Sequence, residues 1–310
     1  MSWIRFLSLY VLVNLAYSER LPNVQISDDD IYNMIAHLSR LDTNRPTSRQ
    51  VLVRWQGHTQ TTSNQDNARY RLFERVDTAV LRKPTYEKLI ALFNNYERMT
   101  GQAEQATNQE RNEANAWLDE VFKTNVMRET FAFLHRHRHP YARTRDEFRR
   151  RVYHLWFDMY SRARGKTDSS GFEHVFVGEV NKDQVIGVHN WVRFFEMERN
   201  RDENVDYKGY LIRRHNILGA VKFTWDGFTK RSSTFFVHTS PEFDLALYTL
   251  CFLTRPSDDR NERACSFSLD GCDFKVIAHP LYQRGNVHIG SVYPHAVGRC
   301  RRVNSHPHKL

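Results

Sequence analysis

Two histidines stand out by type and spacing. His174 and His189 each lie in one arm of Asp168 to Trp191, where the apolar runs Phe172 to Val180 and Val185 to Val188 flank the polar turn Asn181-Lys182-Asp183-Gln184. That pattern predicts a β-hairpin. Folded symmetrically about Lys182 and Asp183, it places His174 opposite Trp191 and His189 opposite Phe176, so that the imidazoles share one face roughly 7 to 8 Å apart as diagonal neighbours. Histidine can take a proton in one copy and give one in another near neutral pH, so such a pair could act as base and acid across one small reacting group. An odd-length turn would put the rings on opposite faces, and His189 could instead cap a helix starting at Asn190-Trp191.

Positioning such a pair needs a large fold, and 310 residues with 40% hydrophobic and 13% aromatic content supply one. From Asn23 to about Arg164 the texture is helical. Ser27 and three aspartates open a helix with Ile31, Met34, Ile35, Leu38 and Leu41 on one face. Further helices follow Pro84, then carry Trp117 to Phe122 and Val126 to Leu134, and the last opens at the capping box Thr144-Arg145-Asp146-Glu147. Gln50 to Trp55 reads as a short strand. After Ser161 come glycine-punctuated strands, Tyr210 to Arg213, Ala220 to Trp225, Thr234 to His238, Phe267 to Leu269, Phe274 to Ala278 and Val287 to Tyr293, and one apolar helix, Phe243 to Leu253, stopped by Pro256. The expected class is α+β.

The formal charge of +9 points to an acidic partner: RNA, DNA or an anionic membrane surface. Two basic stretches, His135 to His139 and Arg149-Arg150-Arg151, could meet phosphates or simply be solvated helix ends. Met1 to Ser18, with Arg5, the apolar run Phe6 to Val13 and Ala16-Tyr17-Ser18, reads as a secretory signal peptide, a buried N-terminal helix being the alternative. No stretch is long enough to span a membrane. Cys251, Cys265, Cys272 and Cys300 match no zinc spacing; three disulfide pairings are open, and Cys251 could stay a buried free thiol. No Gly-x-Ser-x-Gly elbow or His-Glu-x-x-His helix supports a protease or esterase.

Gly171 to Glu179, Gly187-Val188-His189-Asn190-Trp191 and Val205-Asp206-Tyr207 together resemble the signature of the EndoU endoribonucleases, the family of the poly(U)-specific RNA-cleaving enzymes of animals. The likeness extends through Leu41 to Arg45, Lys83-Pro84-Thr85-Tyr86, Leu92 to Tyr96, and Ser240 to Phe252. It implies one EndoU-like domain over residues 23–300, a mainly helical half (23–164) followed by a catalytic half of small antiparallel sheets (165–300), and a basic tail at 301–310. It also implies an enzyme that cuts single-stranded RNA at uridines and leaves 2′,3′-cyclic phosphate ends; secretion is expected from the signal peptide alone, and a monomer is expected. A secreted RNA-binding or signalling protein without significant catalysis is the alternative.

The family's catalytic set falls on His174, His189 and, in Trp225-Asp226-Gly227-Phe228-Thr229-Lys230, on Lys230. By that analogy His189 is the base, His174 the acid and Lys230 the cation beside the phosphorus. Ser291 and Tyr293 are expected to contact the base, with Tyr293 stacking on uracil or, alternatively, serving as a core residue. Ser233 is a further RNA-binding candidate, although the stretch after Lys230 is a residue shorter than the family's. Manganese dependence is also implied, with Glu173 and Glu179 as candidate ligands; the plainer role for either is to orient a histidine or to lie on the strand.

Overall fold

The structure is a computed structural model that describes residues 20–163, 165–255 and 262–301. The expected signal peptide, Pro256 and the tail beyond Arg301 lie outside them.

The helical half opens with α1 (Asp28–Leu41), whose N-cap Ser27 accepts from the Asp30 amide and whose Ile31, Met34, Ile35 and Leu38 are buried. Strands β1 (Val51–Val53) and β2 (Phe73–Val76) pair antiparallel. Helices α2 (Thr78–Leu81), α3 (Pro84–Ala91, proline in the first turn), α4 (Asn108–Lys123, with a Thr107/Glu110 capping box) and α5 (Asn125–Arg136) follow. In α6 (Arg145–Phe157) Thr144 caps the Glu147 amide, and Phe148, Val152, Leu155 and Trp156 are buried.

The second half holds β3 (Glu179–Asn181), β4 (Gln184–Ile186), α7 (Trp191–Arg199), β5 (Val205–Arg214), β6 (Leu218–Trp225), β7 (Phe228–Phe236), α8 (Pro241–Thr254), β8 (Arg263–Leu269), β9 (Cys272–Gln283) and β10 (Asn286–Val297). They form a five-stranded sheet in the order β3-β4-β7-β6-β5 and a three-stranded one in the order β10-β9-β8. Every pairing is antiparallel except β4 with β7, which meet in parallel at Gln184 and Thr229. Helix α8 is buried along its whole length, which accounts for its unbroken apolar run. Among the described residues no helix is long and apolar enough to cross a membrane. Disulfides join Cys251 to Cys265 and Cys272 to Cys300, so Cys251 is not a free thiol.

The two halves share one apolar core and are hydrogen-bonded to each other at several places, one of which meets the strand that bears Glu179. The Val180 amide donates to the Arg98 carbonyl (2.7 Å) and the Thr100 amide to the Val180 carbonyl (3.0 Å). The Gly101 amide donates to Asp168 (2.6 Å), and the Arg98 guanidinium pairs with Asp226 (2.8 Å).

One expectation is corrected. Phe172 to Val177 is not a strand: Glu173–Val177 forms a single wide helical turn, and the hairpin is confined to β3 and β4. The cause is aromatic packing four residues apart. Phe172 and Phe176 stack at 5.1 Å between ring centroids and lodge against Trp117, Trp156 and Phe157. Gly178, at φ +94°, then turns the chain into β3.

Candidate active site

His174 projects from that wide turn, which starts where the Ser170 hydroxyl accepts from the Glu173 amide. His189 lies in the loop between β4 and α7. The loop is held tightly against the turn: the Val188 amide donates to the His174 carbonyl (3.1 Å) and the His189 amide to the Val175 carbonyl (2.7 Å). Gly187, at φ +71°, is required there, because a Cβ would sit 1.8 Å from the His174 carbonyl oxygen. Val188 follows at φ +62°, a costly conformation for a β-branched residue. It is held because the Ser233 hydroxyl donates to the Val188 and Gly187 carbonyls. Asn190, not His189, caps α7, accepting from the Val192 and Arg193 amides while donating to Asp244 (3.1 Å).

The two imidazoles lie 6.1 Å apart between ring centroids. They come together as expected, but neither lies on a strand of the hairpin, which is confined to β3 and β4. Both rings are almost fully buried and are anchored at Nδ1 by different groups. His174 Nδ1 faces the Glu179 carboxylate at 2.7 Å, and His189 Nδ1 faces the Thr234 carbonyl at 2.9 Å. Glu179 is in turn held by Arg162, whose Nε is 3.1 Å away and whose guanidinium also reaches the hydroxyls of Tyr160 and Ser169. Lys230, on β7, completes the group and is 8% exposed.

Burial dominates the electrostatics. It lowers both histidines well below their ordinary value, helped at His174 by Arg162 and at His189 by Lys230. It lowers Lys230 to about 7, against the opposing pull of the Glu179 carboxylate. For Glu179 burial pushes upward and Arg162 downward; the net direction is up. A site with this balance is poised to gain protons and charge when a phosphate replaces the missing solvent.

Tyr293, on β10, lies at the site and not in the core, its ring stacked on His189 with centroids 5.2 Å apart. On its other flank is His279 of β9, with centroids 6.0 Å apart and Nε2 at 3.5 Å from the tyrosine oxygen. Ser291, half-buried, pairs with His279 across the same ladder. Ser233 is fully buried, and its hydroxyl bonds the Gly187 and Val188 carbonyls, where it shapes the His189 loop. Arg162, His279 and the Thr234 carbonyl were not anticipated. Of these, only His279 had a readable signal, its place in the alternation of β9 opposite the Ser291 to Tyr293 stretch.

Glu173 and Glu179 do not fit a metal. Glu179 is committed to Arg162 and His174, and both oxygens of Glu173 are buried without a hydrogen-bond partner, burial and the two other carboxylates Glu179 and Glu104 driving its pKa well up. A manganese ion needs several converging oxygen donors. Among the described residues, neither glutamate belongs to a group of three or more ligand atoms close enough together to share an ion. The one such group among them, His215 with Cys272 and Cys300, has its sulfurs tied up in the disulfide.

Residues 30–294 match the family model described as "Endoribonuclease XendoU". The chain belongs to the XendoU family. It is 36% identical over 279 residues to the human "Uridylate-specific endoribonuclease", covering 86% of this chain and 66% of that one. It therefore spans slightly less than two thirds of that relative's length. With the Xenopus laevis "Uridylate-specific endoribonuclease C" it shares 35% identity over 280 residues, 86% of this chain and 89% of the relative. The solved structure described as "The structure of XendoU: a splicing independent snoRNA processing endoribonuclease" superposes with a TM-score of 0.73 at 31% identity, over 88% of this chain and 99% of that one. The XendoU fold thus accounts for the α+β architecture, including the helical half.

Proposed function

We propose that this protein is an endoribonuclease that cuts single-stranded RNA at uridines through the 2′-hydroxyl, leaving 2′,3′-cyclic phosphate ends. The observation that carries the reading is the pair of imidazoles 6.1 Å apart with the Lys230 side chain beside them.

The anchors assign the roles. A neutral His189 that gives its Nδ1 proton to the Thr234 carbonyl keeps a lone pair on Nε2, the form needed to take the 2′-hydroxyl proton. His174 has a carboxylate at Nδ1, so its doubly protonated form has a full negative partner, and its Nε2 proton can pass to the departing 5′-oxygen. Glu179 and Arg162 position His174. Lys230 meets the negative charge that builds on the phosphate oxygens. DNA, lacking the 2′-hydroxyl, would resist. Tyr293 and Ser291 line the side where the base would lie, and stacking on an aromatic ring contributes roughly 1–3 kcal/mol per base. The relatives named for uridylate specificity support a preference for uridine. The two disulfides suit an oxidising compartment and support secretion. No step here runs through manganese.

The test is incubation of the purified protein with a uridine-containing oligonucleotide, with manganese and with a chelator. Cyclic phosphate ends are expected, with rates about 10²–10⁴-fold lower for His189→Ala and His174→Ala. RNA left intact under both conditions, or His189→Ala cutting as fast as wild type, would sink the reading. RNA bound but never cut would leave a binding protein.

A further inference from the structure

The two basic stretches of the helical half have different fates. In the first, His135 Nδ1 bonds the Ala142 carbonyl (2.9 Å), and His139 is buried, accepting from the Tyr141 amide and reaching the Leu253 carbonyl. Both are structural. In the second, Arg149 is bound to Asp119 and Asn115 between α4 and α6. Arg150 and Arg151 instead line an open cavity of about 420 Å³ with Tyr141, Arg143, Glu147 and His154. Arg143 and Arg150 are exposed, and the Arg151 guanidinium lies over the Tyr141 ring at 3.9 Å. His154 is turned to Asp158 (2.9 Å), and the two exposed guanidiniums of the lining, Arg143 and Arg150, stand beside the Glu147 carboxylate.

We propose that this cavity is a second contact site for the substrate strand, one that holds phosphates of single-stranded RNA away from the scissile bond. Planar guanidiniums match phosphate geometry in pairs, and a positively charged groove follows a single strand's backbone without reading its sequence. The cavity is concave, and its one exposed apolar residue, Pro140, is not the bulky aromatic or aliphatic anchor a membrane site would insert, which favours a strand over a lipid surface. Its place fits the site already described. Helix α6 rises ~1.5 Å per residue, so Phe157 at its end lies roughly 10 Å beyond Arg150. Just past that end, the Tyr160 hydroxyl donates to the Ile289 carbonyl and meets the Arg162 guanidinium that holds Glu179. A strand several nucleotides longer than the cleaved dinucleotide has the length to reach past the end of α6 from the cavity, over a surface that the buried Tyr160 and Glu179 do not themselves line.

The proposal rests on the nuclease reading for its substrate but is tested separately. Affinity is measured for a twenty-nucleotide 2′-deoxyuridine strand, which cannot be cut, and for a four-nucleotide one, across a salt series, with wild type and Arg143→Ala/Arg150→Ala. The double variant is expected to bind the long strand about tenfold more weakly and the short strand as wild type does. Its slope of log affinity against log salt should be shallower by about 0.7 for each phosphate that the removed guanidiniums no longer neutralise. If the wild type also cleaves, KM for a long RNA should rise with kcat unchanged. Unaltered binding of the long strand, or equal weakening for both lengths, would overturn the proposal. So would loss of binding to anionic vesicles with no change for the strand. Failure of cleavage alone would count against the catalytic reading and leave this one standing. Circular dichroism and melting of the double variant confirm that it is folded.

Discussion

Lys230 is the residue at which stability and chemistry oppose each other. Its pKa of about 7 means that the folded site releases a proton the unfolded chain keeps up to about 10.5. The unfolded state therefore binds more protons across that window, and stability rises with pH through it. At pH 6 to 7 the buried ammonium is a burden on the fold. Lys230→Met is accordingly expected to melt several degrees higher than wild type at pH 6.5, with the gain shrinking toward pH 10, while cleavage falls about 10²-fold or more. A variant that melts lower at pH 6.5 would refute this account of the site. The alkaline limb of kcat/KM in the free enzyme belongs to the two groups that must hold a proton, Lys230 and the acid His174, both lowered by burial, so it lies no higher than about 7, and in Lys230→Arg, whose charge persists, His174 alone sets it. On the acid side, burial has lowered His189 well below its ordinary value, so the base stays available and the acid limb lies under about 6.5. Glu179→Gln removes the negative partner of His174 and is expected to reduce kcat far more than KM, and Glu179→Asp to restore part of it.

At the scale of elements, the site depends on a loop and a turn that only certain backbones allow. Gly187→Ala would drive a methyl group into the His174 carbonyl, at a φ of +71° that alanine resists; loss of nearly all activity and a lower melting temperature are expected, measured on one preparation. These elements were unevenly legible in the sequence. The long helices were readable from their caps and apolar stripes, as at Ser27, Pro84 and Thr144, because those signals are local. The turn carrying His174 was not, since a short, mostly apolar stretch such as Phe172 to Val177 fits a buried strand and a buried helix equally well. What decides between them is Trp117 and Trp156, which stand more than 15 residues away in the chain. His174, His189 and Lys230 could be named from motif types. The groups that set their properties could not: Arg162 is placed by Tyr160 and Gly290, and the Thr234 carbonyl belongs to a backbone whose register no side-chain pattern announces. The bond from the Ser233 hydroxyl to the Gly187 and Val188 carbonyls was likewise not readable from the sequence.

For the whole molecule, the disulfides clamp the three-stranded sheet that carries Tyr293 and His279. Cys251–Cys265 ties β8 to α8, and Cys272–Cys300 closes the loop of 28 residues holding β9 and β10. Reduction is expected to cost about 2–4 kcal/mol per bridge and to lower the melting temperature, with base contacts failing before the histidine pair separates. Equal melting with and without reductant would contradict this. The lacing of Arg98 to Gly101 onto Val180, Asp168 and Asp226 has a different consequence. Because the helical half supplies backbone partners to the strand bearing Glu179, neither half can be an autonomous catalyst. A chain severed at the exposed Gly165-Lys166 and separated into its two fragments should be inert as either piece alone, and mixing the fragments should restore cleavage with second-order kinetics of recovery.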